Sequence, residues 1–180
     1  AKRKHEEAKR NAPRLRPGMI VGIKGGQKHK YCADEPHGWK CNRNNIGQWE
    51  KFKVENAGGG WIALKGLRQS KFCADEHNRI ICNRDHIGQW EKFQPVNYGA
   101  HEVGLRGGKD KKFCADEANH VKCNRNVLGG WERFQVTCLT SCELRGHSRI
   151  AAQEKEIAHK FGQVADLNGK ESKNKQRASD

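Results

Sequence analysis

An all-β domain of three equivalent parts is what this sequence predicts, and two observations carry that expectation. The first is repetition: from Ile20 to Phe134 the chain repeats with a period of 41 residues and no gaps. Cys32, Cys73 and Cys114 share one phase, as do Cys41, Cys82 and Cys123, then Arg43, Arg84 and Arg125, then Trp49, Trp90 and Trp131. CADE recurs at 32–35, 73–76 and 114–117, CNR at 41–43, 82–84 and 123–125, and GQWEKF (47–52, 88–93) returns as GGWERF at 129–134. A fixed period requires each copy to bury the same face against its neighbours. The second is local: every copy divides into four short strand-like runs separated by glycine and polar turns.

The first run is IVGIK (20–24), WIALK (61–65) and EVGLR (102–106), expected to alternate inward and outward side chains. Basic turns follow, GGQKHK, GLRQSK and GGKDKK. The second and third runs form a hairpin, KYCADE to WKCNR in the first copy, with its tip at PHG. The fourth run starts at the aromatic of WE-x-F, as in Phe52-Lys53-Val54. Four strands in each of three copies match a β-trefoil over residues 17–139, a closed six-stranded barrel capped by three hairpins that leaves few edges exposed. A propeller would need more blades than three.

The flanks have a different character. Residues 1–16 hold seven Lys/Arg, two Glu and no sustained periodicity, which predicts an extended basic arm. In the C-terminal extension, 140–180, apolar residues at helical spacing predict an amphipathic helix at about 148–161, docking through Ile150, Ile157 and Phe161. A polar tail follows. The opening AKRKHEEAKR lacks the apolar stretch of a secretory signal, and no run approaches the length of a membrane span.

Net charge is +14, of which the arm holds +5, the repeats +7 and the extension +2. A chain so basic is drawn to acidic partners. The candidate contact residues are Lys2, Arg3, Lys4, Lys9, Arg10, Arg14 and Arg16 of the arm. Lys28, Lys30, Arg68, Lys71, Lys109, Lys111 and Lys112 join them, because threefold symmetry sets the basic turns in a ring around one barrel end.

Other conspicuous residues have structural explanations. The two cysteines of each copy lie nine positions apart around a hairpin; buried thiols filling the cap are expected, with cross-hairpin disulfides or zinc as alternatives. Cys138 and Cys142 are a further pair outside the repeat. The carboxylates Asp34-Glu35, Asp75-Glu76 and Asp116-Glu117 recur identically, whereas catalytic pairs need distinct environments; bonds to Arg43, Arg84 and Arg125 or to backbone are expected. Trp49, Trp90 and Trp131 are expected to pack in the barrel or cap. Two of the three follow a Gln, but the ricin-type lectin spacing is absent. No phosphate loop, catalytic triad order or metal-binding His pair is present, so no enzyme, cofactor or metal is expected.

The K-[YF]-C-A turn followed by N-R-x-x-x-G-x-W-E-x-F resembles the fascin-like trefoils of the actin-crosslinking superfamily, over about 120 of the 180 residues. That resemblance implies a trefoil and a non-catalytic scaffold docking on an acidic filament, actin-like first. The alternative is a structural subunit of a ribonucleoprotein or other large complex, and the third a carbohydrate-binding module. A cytoplasmic setting is expected, with nuclear or organellar ones as variants.

Overall fold

The computed structural model describes residues 15–99 and 102–142. Within them lie twelve strands: β1 (Ile20–Lys24), β2 (Tyr31–Glu35), β3 (Gly38–Arg43), β4 (Phe52–Gly58), β5 (Trp61–Gly66) and β6 (Lys71–Asp75). The series continues with β7 (Ile80–Arg84), β8 (Phe93–Tyr98), β9 (Glu102–Gly107), β10 (Phe113–Asp116), β11 (Val121–Arg125) and β12 (Phe134–Thr140). A short 3₁₀ turn precedes the last strand of each copy, at Gln48–Glu50, Gln89–Glu91 and Gly130–Glu132.

Antiparallel pairing runs β1–β4–β5–β8–β9–β12 and returns to β1, which closes a six-stranded barrel. The hairpins β2–β3, β6–β7 and β10–β11 hang from this ring. The barrel is filled by Val21, Ile23, Phe52, Val54, Ile62, Leu64, Phe93, Val103, Leu105 and Phe134, all buried. Leu15, placed by the sequence in the basic arm, packs into this core with Met19.

Two expectations need correction here. The opening strands do not simply alternate: Val21, Gly22 and Ile23 are all buried. Gly22 is covered by Ile46, whose Cδ1 lies 2.7 Å from where a Cβ would stand, and Leu128 covers Gly104 in the same way. Nor are the repeat cysteines thiols. They are buried as expected, but Cys32–Cys41, Cys73–Cys82 and Cys114–Cys123 are disulfides, and Cys138–Cys142 is a fourth. The hairpin register explains it, since each Cys sits directly opposite its mate.

The hairpins interlock as a ring. Asp34 of the first copy lies against Gly66 of the second, Asp75 of the second against Gly107 of the third, and Asp116 of the third against Gly25 of the first. The Cys41 N–H donates to the Ala118 carbonyl and the Cys123 N–H to that of His77, so the caps also join through backbone. Where copies two and three place Ile80 and Val121 in the cap, the first has Trp39, fully buried and 4.6 Å from the ring of Phe52. Its indole N–H donates to Cys82 Sγ at 3.1 Å.

Candidate functional site

The GQWEKF phrase builds one surface feature three times. Within each 3₁₀ turn the glutamate folds back, and its Oε1 accepts from the N–H of Gly47, Gly88 or Gly129 at 2.7, 2.7 and 2.9 Å. Glu50, Glu91 and Glu132 are buried by this, and Phe52, Phe93 and Phe134 turn into the barrel. The tryptophan between Gly and Glu is left pointing outward. Trp49, Trp90 and Trp131 are 42%, 43% and 47% exposed, so the expected packing role is overturned. Core volume at this point is supplied by the phenylalanine three residues later, and a tight turn cannot send both inward.

Two of the turns are clamped to the next copy. Gln48 Nε2 donates to the Leu67 carbonyl at 3.2 Å and Gln89 Nε2 to that of Gly108 at 3.0 Å. Gly130 fills this position in the third copy and has no side-chain amide to offer. The same two carry a cation over the indole: the Arg68 guanidinium lies 5.3 Å from the ring centre of Trp49, and Lys109 Nζ 5.0 Å from that of Trp90. The residue in phase with Arg68 and Lys109 is the uncharged Gln27.

The acidic pairs are structural, in a more divided way than expected. The glutamates bridge their hairpins, with Arg43–Glu35, Arg84–Glu76 and Arg125–Glu117 at 3.3, 2.6 and 3.1 Å. The aspartates are buried at the seams between copies. Asp75 Oδ1 and Asp116 Oδ1 accept from the N–H groups of His77 and Ala118, both at 2.8 Å, and Asp116 Oδ2 accepts from the Gln27 N–H at 3.0 Å. Asp34 has neither oxygen in a hydrogen bond; its nearest cation is Arg68, Nε at 3.5 Å. Burial pushes the Asp34 carboxyl up to about 6, against the lowering influence of Arg68. Asp75 is also raised by burial, opposed first by its bond from the His77 N–H.

The basic turns do lie in equivalent places, between β1 and β2, β5 and β6, and β9 and β10. Three of their lysines are held by side chains nearby. Lys30 bonds Asn44, Lys71 pairs with Asp85 and Lys112 bonds Asn126, each side chain reaching across its own copy. Lys28 and Lys111 are exposed. Lys109 lies 3.4 Å from Asp110 Oδ2. Arg16 donates to the Cys142 carbonyl at 2.6 Å. Lys2, Arg3, Lys4, Lys9, Arg10, Arg14, Ile150, Ile157 and Phe161 lie outside the described residues.

A closed barrel, three capping hairpins and one surface turn repeated at three equivalent places define the class: the chain is a β-trefoil. No family model and no curated protein sequence matches it. Among solved structures it is similar to ThreeFoil, a designed 3-fold symmetric protein, with a TM-score of 0.62 and 13% identity over 67% of this chain and 99% of that one. It is similar to the GlcNAcα1-4Gal-releasing endo-β-galactosidase from Clostridium perfringens (TM-score 0.60, 11% identity), covering 67% of this chain but only 32% of the enzyme. SeviL, solved bound to the asialo-GM1 saccharide, gives a TM-score of 0.57 and 10% identity over 66% of this chain and 96% of that one. At such identities the likeness is one of fold.

Proposed function

We propose that this trefoil is a non-catalytic saccharide-binding module whose contacts are the turns of Trp49, Trp90 and Trp131. The observation that carries this reading is their exposure at three equivalent positions. Single exposed apolar residues are ordinary on a protein surface. The same indole presented three times on a hydrogen-bonded surface turn anchored by a buried glutamate is a repeated flat apolar platform, suited to the C–H face of a pyranose. Rigidity matters because a preformed platform loses little entropy on binding. Two solved neighbours add support: SeviL was solved bound to a saccharide, and the clostridial protein is an endo-β-galactosidase. The disulfides favour an oxidising compartment, where glycans are displayed, over the cytoplasmic setting expected from sequence.

Filament docking and assembly into a ribonucleoprotein both draw on the basic turns and the N-terminal arm, and a fascin-like kinship rests on the K-[YF]-C-A and N-R-x-x-x-G-x-W-E-x-F phrases. Lys71 is paired with Asp85, while Lys30 and Lys112 are held by the neutral amides of Asn44 and Asn126, so these lysines are oriented within their own copies and only one of the three is neutralised.

The test is calorimetric titration of the full chain with neutral and acidic oligosaccharides, beside co-sedimentation with actin filaments. Binding should weaken roughly tenfold for each site lost to Trp→Ala, one aromatic contact being worth about that much. The urea midpoint should fall only slightly, because the removed side chains lie on the surface and not in the core. Absence of binding to every saccharide, or binding indifferent to replacing all three tryptophans, would remove this reading. Filament pelleting by the triple variant would then restore the cytoskeletal one.

A further inference from the structure

The three turns are not equal, and the inequality points to a ligand chemistry. Arg68 and Lys109 sit over Trp49 and Trp90, whereas among the described residues no cation lies over Trp131. The side chains of Arg68 and Lys109 are 13% and 26% exposed, so each charge is partly shielded from water and salt by the indole it covers. A neutral sugar stacking on that face must displace or crowd the cation and returns nothing for the lost cation–π attraction. A sugar bearing an anion can lie against the ring while pairing with the cation, so both attractions are kept.

Neither cation is already saturated. Arg68 approaches Asp34 at 3.5 Å without a hydrogen bond, and Lys109 donates one long bond, 3.4 Å, to Asp110, an exposed carboxylate also held by His77 Nδ1 at 2.9 Å. The glutamine clamps reinforce the distinction, because Gln48 and Gln89 tie these two turns to the loops that carry the cations. The third turn lacks clamp and cation together, having Gly130 and Gln27.

Resting on the saccharide-binding reading, we infer that the Trp49 and Trp90 turns select a pyranose carrying a carboxylate or sulfate, and that the Trp131 turn has no such preference.

Full-length protein is titrated at about physiological salt with trigalacturonate, a sulfated galactan oligosaccharide and neutral galactotriose. The acidic ligands should bind roughly tenfold more tightly than the neutral one, a difference of one charge-assisted contact. Lys109→Gln should remove the advantage at the Trp90 turn by weakening the acidic ligands, and galactotriose should bind no more weakly than before, since it then has no cation to displace from the indole. Arg68→Gln is made together with Asp34→Asn, so that no buried carboxylate is left unpaired, and should do the same at the Trp49 turn. Lys111→Gln is the control, an equal charge change on the same loop at an exposed lysine away from the indole. The inference is overturned if galactotriose binds as tightly as the acidic ligands, or if Lys111→Gln costs as much as Lys109→Gln, which would mean a diffuse field. Saccharide-binding itself fails only if none of the three ligands binds, or if replacing all three tryptophans changes nothing. The tighter of the two acidic ligands identifies the anionic group.

Discussion

Asp34, Asp75 and Asp116 occupy one repeat position and one kind of seam, yet only Asp34 is without a hydrogen bond. The reason is two residues further on. His77 and Ala118 adopt positive φ, 68° and 67°, and turn their N–H groups back to the carboxylate. The first copy has Pro36 there, which has no N–H and whose ring forbids positive φ. An unbonded carboxylate at 0% exposure favours its protonated form, and the Asp34 pKa rises to about 6 from 3.8. The folded protein therefore binds this proton more tightly than the unfolded chain. Its stabilising contribution is complete below pH 3.8 and is lost as pH rises through about 6. The size is roughly 3 kcal/mol at most. Asp34→Asn should remove that component, so subtracting the two urea-stability profiles between pH 4 and 7 isolates it. Profiles that run parallel would show that Asp34 ionises at its ordinary pKa. Pro36→Ala, which restores the donor found in the third copy, should shift the same component toward lower pH.

At the scale of elements, the seams decide which glycines are indispensable. Gly66 ends β5 with Asp34 Oδ2 only 2.5 Å from where a Cβ would stand, and Gly25 and Gly107 are tighter still against Asp116 and Asp75. At Gly25 and Gly107 the obstacle is a buried carboxylate hydrogen-bonded to its own hairpin, so it cannot easily move aside. Gly107→Ala should cost about 1–3 kcal/mol, the usual range for overpacking, read as a lowered urea midpoint. Gly130→Gln should be neutral, since nothing stands within 4 Å of its missing Cβ. An equal loss in both variants would mean that backbone freedom, rather than the seam, sets the cost. The strands were legible in the sequence because the repeat shows each of them three times over, and the barrel follows from their number. The tryptophans were not. Trp39 is in phase with Ile80 and Val121 and fills a cap, whereas Trp49 recurs as Trp in every copy and still faces water, because the Glu50–Gly47 hydrogen bond folds its turn tightly. The cysteines were half legible: C-x8-C around a hairpin places the sulfurs together, but whether they join depends on the redox environment, which no residue encodes. The Arg68–Trp49 and Lys109–Trp90 pairs cross between copies, so no spacing within one copy announces them.

For the molecule as a whole, the three hairpin disulfides each close a loop with a sequence separation of 9, and restricting such loops in the unfolded chain stabilises by about 2–3 kcal/mol apiece. Alkylation in denaturant without reductant should leave the six repeat cysteines unlabelled, and prior reduction should lower the thermal midpoint. Free thiols in that first experiment would return the cysteines to the role of small apolar fillers. The cyclic order of the seams has a different consequence, for size. A stack of repeats such as a solenoid can be lengthened, because each unit meets only its neighbours and special end units seal the stack. Here the third aspartate already occupies the glycine of the first copy, and β12 already pairs with β1. No copy is terminal and no cap is required. Equally, there is no socket left for a fourth: an extra copy could enter only by prising open a seam and a pair of barrel strands, so the number three belongs to the closure itself.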